Sequence, residues 1–198
     1  MIKIGITGGI GSGKTTVCKI FEKLGIPVFY ADTVAKEIMI TDPVLREGII
    51  NTFGNDSYDF AGKLNNKYIA QLVFNDQQEL AKLNALVHPA VFRAFDSWED
   101  TIAADVPYTL KEAALLFESG SYKMCDKNIL VTAPADVRIA RVIARDAVTR
   151  EQVEARMDKQ LHDDEKKKIA DFLITNDESR SVILQVLELH HQFLNLTR

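Results

Sequence analysis

The chain predicts an α/β fold with a central parallel sheet, and three observations carry that expectation. Ile2, Ile4 and Ile6 form a short apolar run that ends in a glycine-rich turn, the pattern of a buried strand entering a tight loop. Val17, Ile20, Phe21 and Leu24 then recur at i, i+3, i+4 and i+7, one apolar face of a helix. Gly25 stops that helix and Ile26–Tyr30 reads as the next strand, which completes a βαβ unit within 30 residues and so calls for parallel pairing.

The elements that follow fit the same plan. Residues from about 31 to 103 read as helical, with apolar spacing at Leu80, Leu83 and Val87 and again at Val91, Phe92 and Phe95. A helical stretch of that length between strands predicts an insertion. Further strands are expected at about Tyr108–Ala113, Asn128–Thr132 and Phe172–Thr175, and a last helix carries Ile183, Val186, Leu187 and Leu194. Pro89 disfavours helix at His88 and allows a new helix to begin at residue 89. From Arg145 to Lys168, 14 of 24 residues are charged, seven of each sign, with Val148, Val153, Met157 and Leu161 as a thin apolar stripe. Such a segment is expected to bury little surface, as a mobile flap or a solvated outer hairpin.

Composition narrows the function classes. The 198 residues suit one domain, 46% hydrophobic and 26% charged, with a net charge of −4. A net acidic surface argues against a whole-surface grip on nucleic acid, though a local basic cluster can still hold a small anion. No apolar run approaches the ~20 residues of a spanning helix, and the N-terminal stretch meets glycines with no cleavage site behind it. Cys18 and Cys125 are widely spaced and read as free thiols in a reducing compartment. The expectation is a cytoplasmic protein, a monomer or weak homo-oligomer, binding neither membrane nor nucleic acid.

Gly8-Gly9-Ile10-Gly11-Ser12-Gly13-Lys14-Thr15 fits G-x-x-x-x-G-K-[ST] at every defined position, and its predicted setting, after a strand and before a helix, is the one that motif needs. Glycines let successive N–H groups turn toward phosphate oxygens, and the helix start aims its positive dipole end at the same anion. Lys14 can reach the β- and γ-phosphates and the Thr15 hydroxyl can ligate Mg²⁺. Gly11, Ser12, Gly13, Lys14, Thr15 and Thr16 are therefore the expected ATP-binding residues. An Asn-Lys-x-Asp guanine-reading motif is missing, which weakens a GTP switch. The size and the charged flap favour a small-molecule kinase that closes over its substrates.

Four groups of motifs run along nearly the whole chain: Thr7 to Thr16 with Leu24-Gly25 and Ala31-Asp32; Leu83-Asn84-Ala85-Leu86 before His88-Pro89; Leu115-Leu116-Phe117-Glu118; and Arg141 and Arg145 through Val148-Thr149-Arg150-Glu151 and Gln160 to Ala170-Asp171 and Asn176. In this ordered set the sequence resembles the dephospho-CoA kinases. The resemblance implies transfer of the ATP γ-phosphoryl to the ribose 3′-hydroxyl of dephospho-CoA, with Mg²⁺. It also implies a three-layer P-loop kinase: a core of about 1–30, 104–140 and 170–198, a helical substrate-binding insertion of about 31–103 and a lid of about 141–168. A kinase for another nucleotide or small alcohol, or a nucleotide-gated regulatory module, is the alternative.

Within that resemblance Asp32 orients the acceptor hydroxyl and takes its proton, where the bare sequence equally allows a helix N-cap. His88 is placed beside the acceptor substrate; on the bare sequence it is a helix-junction residue. Arg141 and Arg145, four apart on one helix face, stabilise the transferring phosphoryl, or else pair with Asp136 or Asp146 at the surface. Arg138 falls outside the pattern. Glu112 could hold Mg²⁺ through water or be a partly exposed strand end, and no role can be deduced for Glu118. The chain departs from the family at Tyr30, where a first carboxylate is common, at Asn66, where arginine is frequent, and at Ala114, where proline is usual.

Overall fold

The computed structural model describes residues 1–74 and 76–196. Residue 75 of the expected insertion and residues 197–198 of the expected core lie outside them. The chain divides into two compact units, Ala31–Thr101 and the remainder, Met1–Tyr30 with Ile102–Arg198.

The larger unit is built on five strands, β1 (Ile2–Gly8), β2 (Val28–Tyr30), β3 (Tyr108–Glu112), β4 (Lys127–Thr132) and β5 (Phe172–Thr175). They pair in the order β2-β3-β1-β4-β5, every pair parallel. The second strand is shorter than its apolar run suggests, beginning at Val28 rather than Ile26. Side chains of a strand alternate between faces, and here the alternation sorts two environments. Ile4 and Ile6 join Tyr108, Leu110, Ile129, Val131 and Ile174 in a fully buried cluster. That cluster is covered by Val17, Cys18 and Phe21 of α1 (Lys14–Lys23) and by Val186, Leu189 and Phe193 of α9 (Val182–Leu196). On the opposite face of β1, Gly5 has no room for a side chain, because Asn128, Leu116 and Cys125 close in on it.

β1 lies between β3 and β4. The chain leaves β1 toward β2 on one side and later crosses from β3 to β4 on the other, so the sheet switches direction at the C-terminal end of β1, where open α/β sheets bind ligands. The register brings Gly8 beside Val131, and Ile6 and Tyr30 each beside Glu112. Gly8, Tyr30 and Glu112 thus lie together at the C-terminal ends of their strands.

The charged stretch forms the end of α6 (Ala135–Asp146), then α7 (Arg150–Met157) and α8 (Asp163–Ile169). Thr149 and Gln152 cap α7 reciprocally, the signature of a capping box. α8 opens on Asp163, Asp164 and Glu165 and closes on Lys166, Lys167 and Lys168, a charge order that matches the helix dipole. The expectation that this stretch buries little is corrected at two places. Val153 is fully buried with Ile139 and Val142, packed by Ile10, Val148 and Met157, and Lys166 is fully buried as well. A thin stripe suffices because α7 contributes only Val153 and Met157, one turn apart, to the cluster.

The smaller unit is helical: α2 (Ala31–Thr41), α3 (Pro43–Phe53), α4 (Asn66–Val73) and α5 (Gln77–Glu99). Asp42, Asn65 and Asp76 cap the last three through their side chains. α5 runs unbroken through Pro89, against the break expected at His88. Pro89 gives up one helical N–H donor, but Val87, Ala90, Val91 and Phe95 are buried around it, and packing outweighs that local loss.

Candidate active site

The phosphate loop is shaped by its glycines. Gly11 and Gly13 have φ of 78° and 96°, a region costly for any residue with a Cβ. A side chain at Gly13 would also strike the Asn176 amide, and one at Gly11 the Arg138 carbonyl. Gly13 opens α1 without a side-chain cap, which leaves first-turn N–H groups for an anion. Gly11, Ser12, Gly13, Lys14, Thr15 and Thr16 line one pocket of about 390 Å³ together with Gly9, Arg141 and Arg145. The six residues expected to hold ATP phosphates and the two expected arginines are therefore brought together.

Lys14 Nζ lies 3.1 Å from Glu112 Oε1. Both groups are largely withdrawn from solvent, and each offsets the other's charge there. Glu112 is thus buried and charge-paired, and the partly exposed strand end is excluded. The same two groups raise and lower the Cys18 thiol beneath the loop, but burial dominates and pushes it far above its ordinary value. Cys18 is a protonated core residue. The Thr15 hydroxyl stands on the pocket wall at the exposed start of α1. Among the described residues no cluster of three His, Cys, Asp or Glu could hold a metal. Thr15 and Glu112 are oxygen donors that fit a magnesium ion drawing its other ligands from phosphate oxygens and water.

The two arginines differ. Arg141 Nη2 donates to the Asn176 carbonyl and to its Oδ1 at 3.3 and 3.4 Å, and Asn176 Nδ2 donates to the Ser12 carbonyl at 2.9 Å. Arg141 is so tethered to the loop. Arg145 instead turns to Asp146, with Nε 2.7 Å from Oδ1, and Arg156 reaches the same carboxylate at 3.2 Å. A second pocket of about 230 Å³ is lined by Lys14, Arg145, Arg156 and Gln160 among others.

Arg138, which the motif reading passed over, is the most buried of the three α6 arginines. Its guanidinium lies against Gly9, and its Nη1 is 3.7 Å from Asp163 Oδ1. The signal was available, since residues 138, 141 and 145 fall at i, i+3 and i+7 on one helix face. Tyr30, at the position where a carboxylate is common, donates to Glu22 Oε1 at 3.1 Å, toward α1.

The remaining expected site residues belong to the helical unit. Asp32 is in the first turn of α2, two residues past β2, so it is a helical residue and not the cap. His88 lies mid-way along α5, half-buried and stacked on Phe92 with centroids 6.4 Å apart. Burial holds its imidazole below the usual range. α2 packs along α5 within this unit.

A family model described as dephospho-CoA kinase matches residues 2–181. The chain belongs to the dephospho-CoA kinase family. A dephospho-CoA kinase of Salinibacter ruber is 44% identical over 178 residues, covering 89% of each chain. A solved structure from Thermus thermophilus superposes with a TM-score of 0.85 at 34% identity, covering 96% of both chains. The dephospho-CoA kinase from Campylobacter jejuni does so with a TM-score of 0.72 at 25% identity, over 99% of this chain and 98% of the other. The P-loop kinase fold expected from the motifs is the fold of this dephospho-CoA kinase family member.

Proposed function

We propose that the chain transfers the γ-phosphoryl of ATP to the ribose 3′-hydroxyl of dephospho-CoA, giving CoA and ADP. The bond from the γ-phosphorus to the bridging oxygen of ADP breaks, and a bond from the 3′-oxygen to phosphorus forms. The observation that carries this reading is the gathering of Lys14, Arg141 and Arg145 around an uncapped, glycine-shaped helix start, in a chain of this family.

In this reading the loop N–H groups and Lys14 hold the β- and γ-phosphates, with Lys14 passing from Glu112 to the nucleotide. Arg141 and Arg145 stabilise charge spread over the equatorial oxygens, a contribution made mostly by preorganised electrostatics. Arg145 leaves Asp146 to do so. Asp32 orients the 3′-hydroxyl and accepts its proton, and His88 binds the acceptor. Thr15 directly, and Glu112 through water, would hold Mg²⁺, which would supply charge neutralisation at the phosphates. The segment of about 141–168 acts as a lid over a core of about 1–30, 104–140 and 170–198, and residues of about 31–103 receive the acceptor. We assign the protein to the cytoplasm, as a monomer or weak homo-oligomer. ADP release measured with dephospho-CoA, AMP, shikimate or no acceptor tests the assignment. Strong acceleration by dephospho-CoA alone is expected, and none would overturn it.

A further inference from the structure

Three long-range contacts converge on the joint between α7 and α8. Gln160 Oε1 accepts the Ile10 N–H at 2.9 Å, across 150 residues of sequence. Glu118 Oε1 accepts the Leu161 N–H at 3.0 Å, and Lys166 Nζ lies 3.0 Å from the same oxygen. Lys166 is wholly withdrawn from solvent, and Glu118 Oε2 is buried without a hydrogen-bond partner. A charge withdrawn from water is costly unless an opposite charge stands beside it. Glu118 therefore fixes the joint twice, through a backbone N–H and through a buried ion pair.

Ile10 is the apex of the phosphate loop, between Gly9 and Gly11. Its side chain packs on the Ile139, Val142 and Val153 cluster, and its N–H is held by Gln160. β1 and the start of α1 hold the two ends of the loop, whereas its apex packs on α6 and α7 and gives its N–H to Gln160. We propose that Glu118 is a positioning residue for phosphoryl transfer. Through Leu161 and Lys166 it holds the α7–α8 joint so that Gln160 grips the Ile10 N–H and preorganises the loop for triphosphate. The proposal rests on the kinase reading above and gives Glu118 and Gln160 roles within it.

The test uses Gln160→Met, which removes the acceptor at similar volume, Glu118→Gln, which removes the charge, and their combination. Affinity for a non-hydrolysable ATP analogue is expected to weaken about tenfold in each single variant, as for other groups that orient a binding site. KM for ATP should rise in step while KM for dephospho-CoA is unchanged. Because Glu118 acts through Gln160, the combined variant should bind the analogue no worse than Gln160→Met alone. Wild-type analogue affinity in Glu118→Gln, even with a lowered melting temperature, would overturn the proposal, and so would additive losses in the combination. If Glu118→Gln does not fold with Lys166 left charged and buried, Glu118→Gln/Lys166→Met carries neither charge and gives the same reading. Analogue binding needs no acceptor, so a chain that shows the expected losses yet phosphorylates no dephospho-CoA would count against the function and not against the brace.

Discussion

The phosphate loop and the charged segment from 145 to 168 reach fixed structure by opposite routes. The loop is specified locally: glycines at 11 and 13 supply the left-handed backbone, and the strand and helix on either side are fixed by their own apolar patterns. The charged segment's local claims to order are modest, the Thr149 capping box and the charge order of α8. It is pinned instead by single long-range contacts, Gln160 to Ile10, Leu161 and Lys166 to Glu118, and Asp163 to Arg138. Charge density reports how much of a segment meets water. It does not report how firmly the segment is held, because one buried ion pair can anchor seven residues of helix.

That contrast can be broken or sharpened by substitution. Asp32→Asn should lower turnover by about 10²–10⁴-fold, the scale of a lost proton acceptor, with ATP binding nearly kept. Steady-state rates and analogue titration check it, and unchanged turnover would remove Asp32 from catalysis. Lys14→Ala should lower turnover by about 10²–10³-fold and weaken nucleotide binding; wild-type rates would refute the loop assignment. At Lys166, within the charged segment, the largest expected effect is on stability. Lys166→Met leaves Glu118 buried without its partner and should cost about 3–5 kcal/mol in urea unfolding, although it lies in the most charged part of the chain.

Smaller effects set the baseline. Asp42→Ala removes the α3 cap, at about 1 kcal/mol. The cap's N–H donors at Leu45 and Val44, with Arg93, hold the Asp42 carboxyl below its ordinary 3.8. A depressed carboxylate stabilises the fold above its unfolded pKa, so the difference between wild type and variant should be full at neutral pH. It should vanish as acid protonates the group below 3.8, readable in melting curves against pH. Arg150→Ala removes exposed pairs to Asp136 and Glu154 and should change stability by less than about 1 kcal/mol. A loss as large as that of Lys166→Met would erase the distinction between exposed and buried charge in this segment.

Much of this was legible in the chain. β5 matches its expected bounds, β3 and β4 fall within a residue of theirs, and β1 runs on from Ile6 to Gly8, because strands of a parallel sheet carry short runs rich in apolar residues. The loop was legible because its conformation needs glycine at set positions. The reading failed where packing overrode a local rule, at Pro89 inside α5, and where a polar side chain took its meaning from a distant partner. Glu118 had no deducible role until Leu161 and Lys166 stood beside it, and Arg138 looked ordinary until its guanidinium lay against Gly9.

The sequence by itself determined the parallel α/β sheet, the phosphate loop between a strand and a helix and the family resemblance, since periodicity, glycine placement and short motifs are local properties. Only the tertiary structure decided which charges are buried and whom they meet. It paired Lys14 with Glu112, separated the tethered Arg141 from Arg145, and turned a solvated-looking helix into a brace. A charge's cost and partner depend on how much water and which opposite charge surround it, and neither is written in the order of residues.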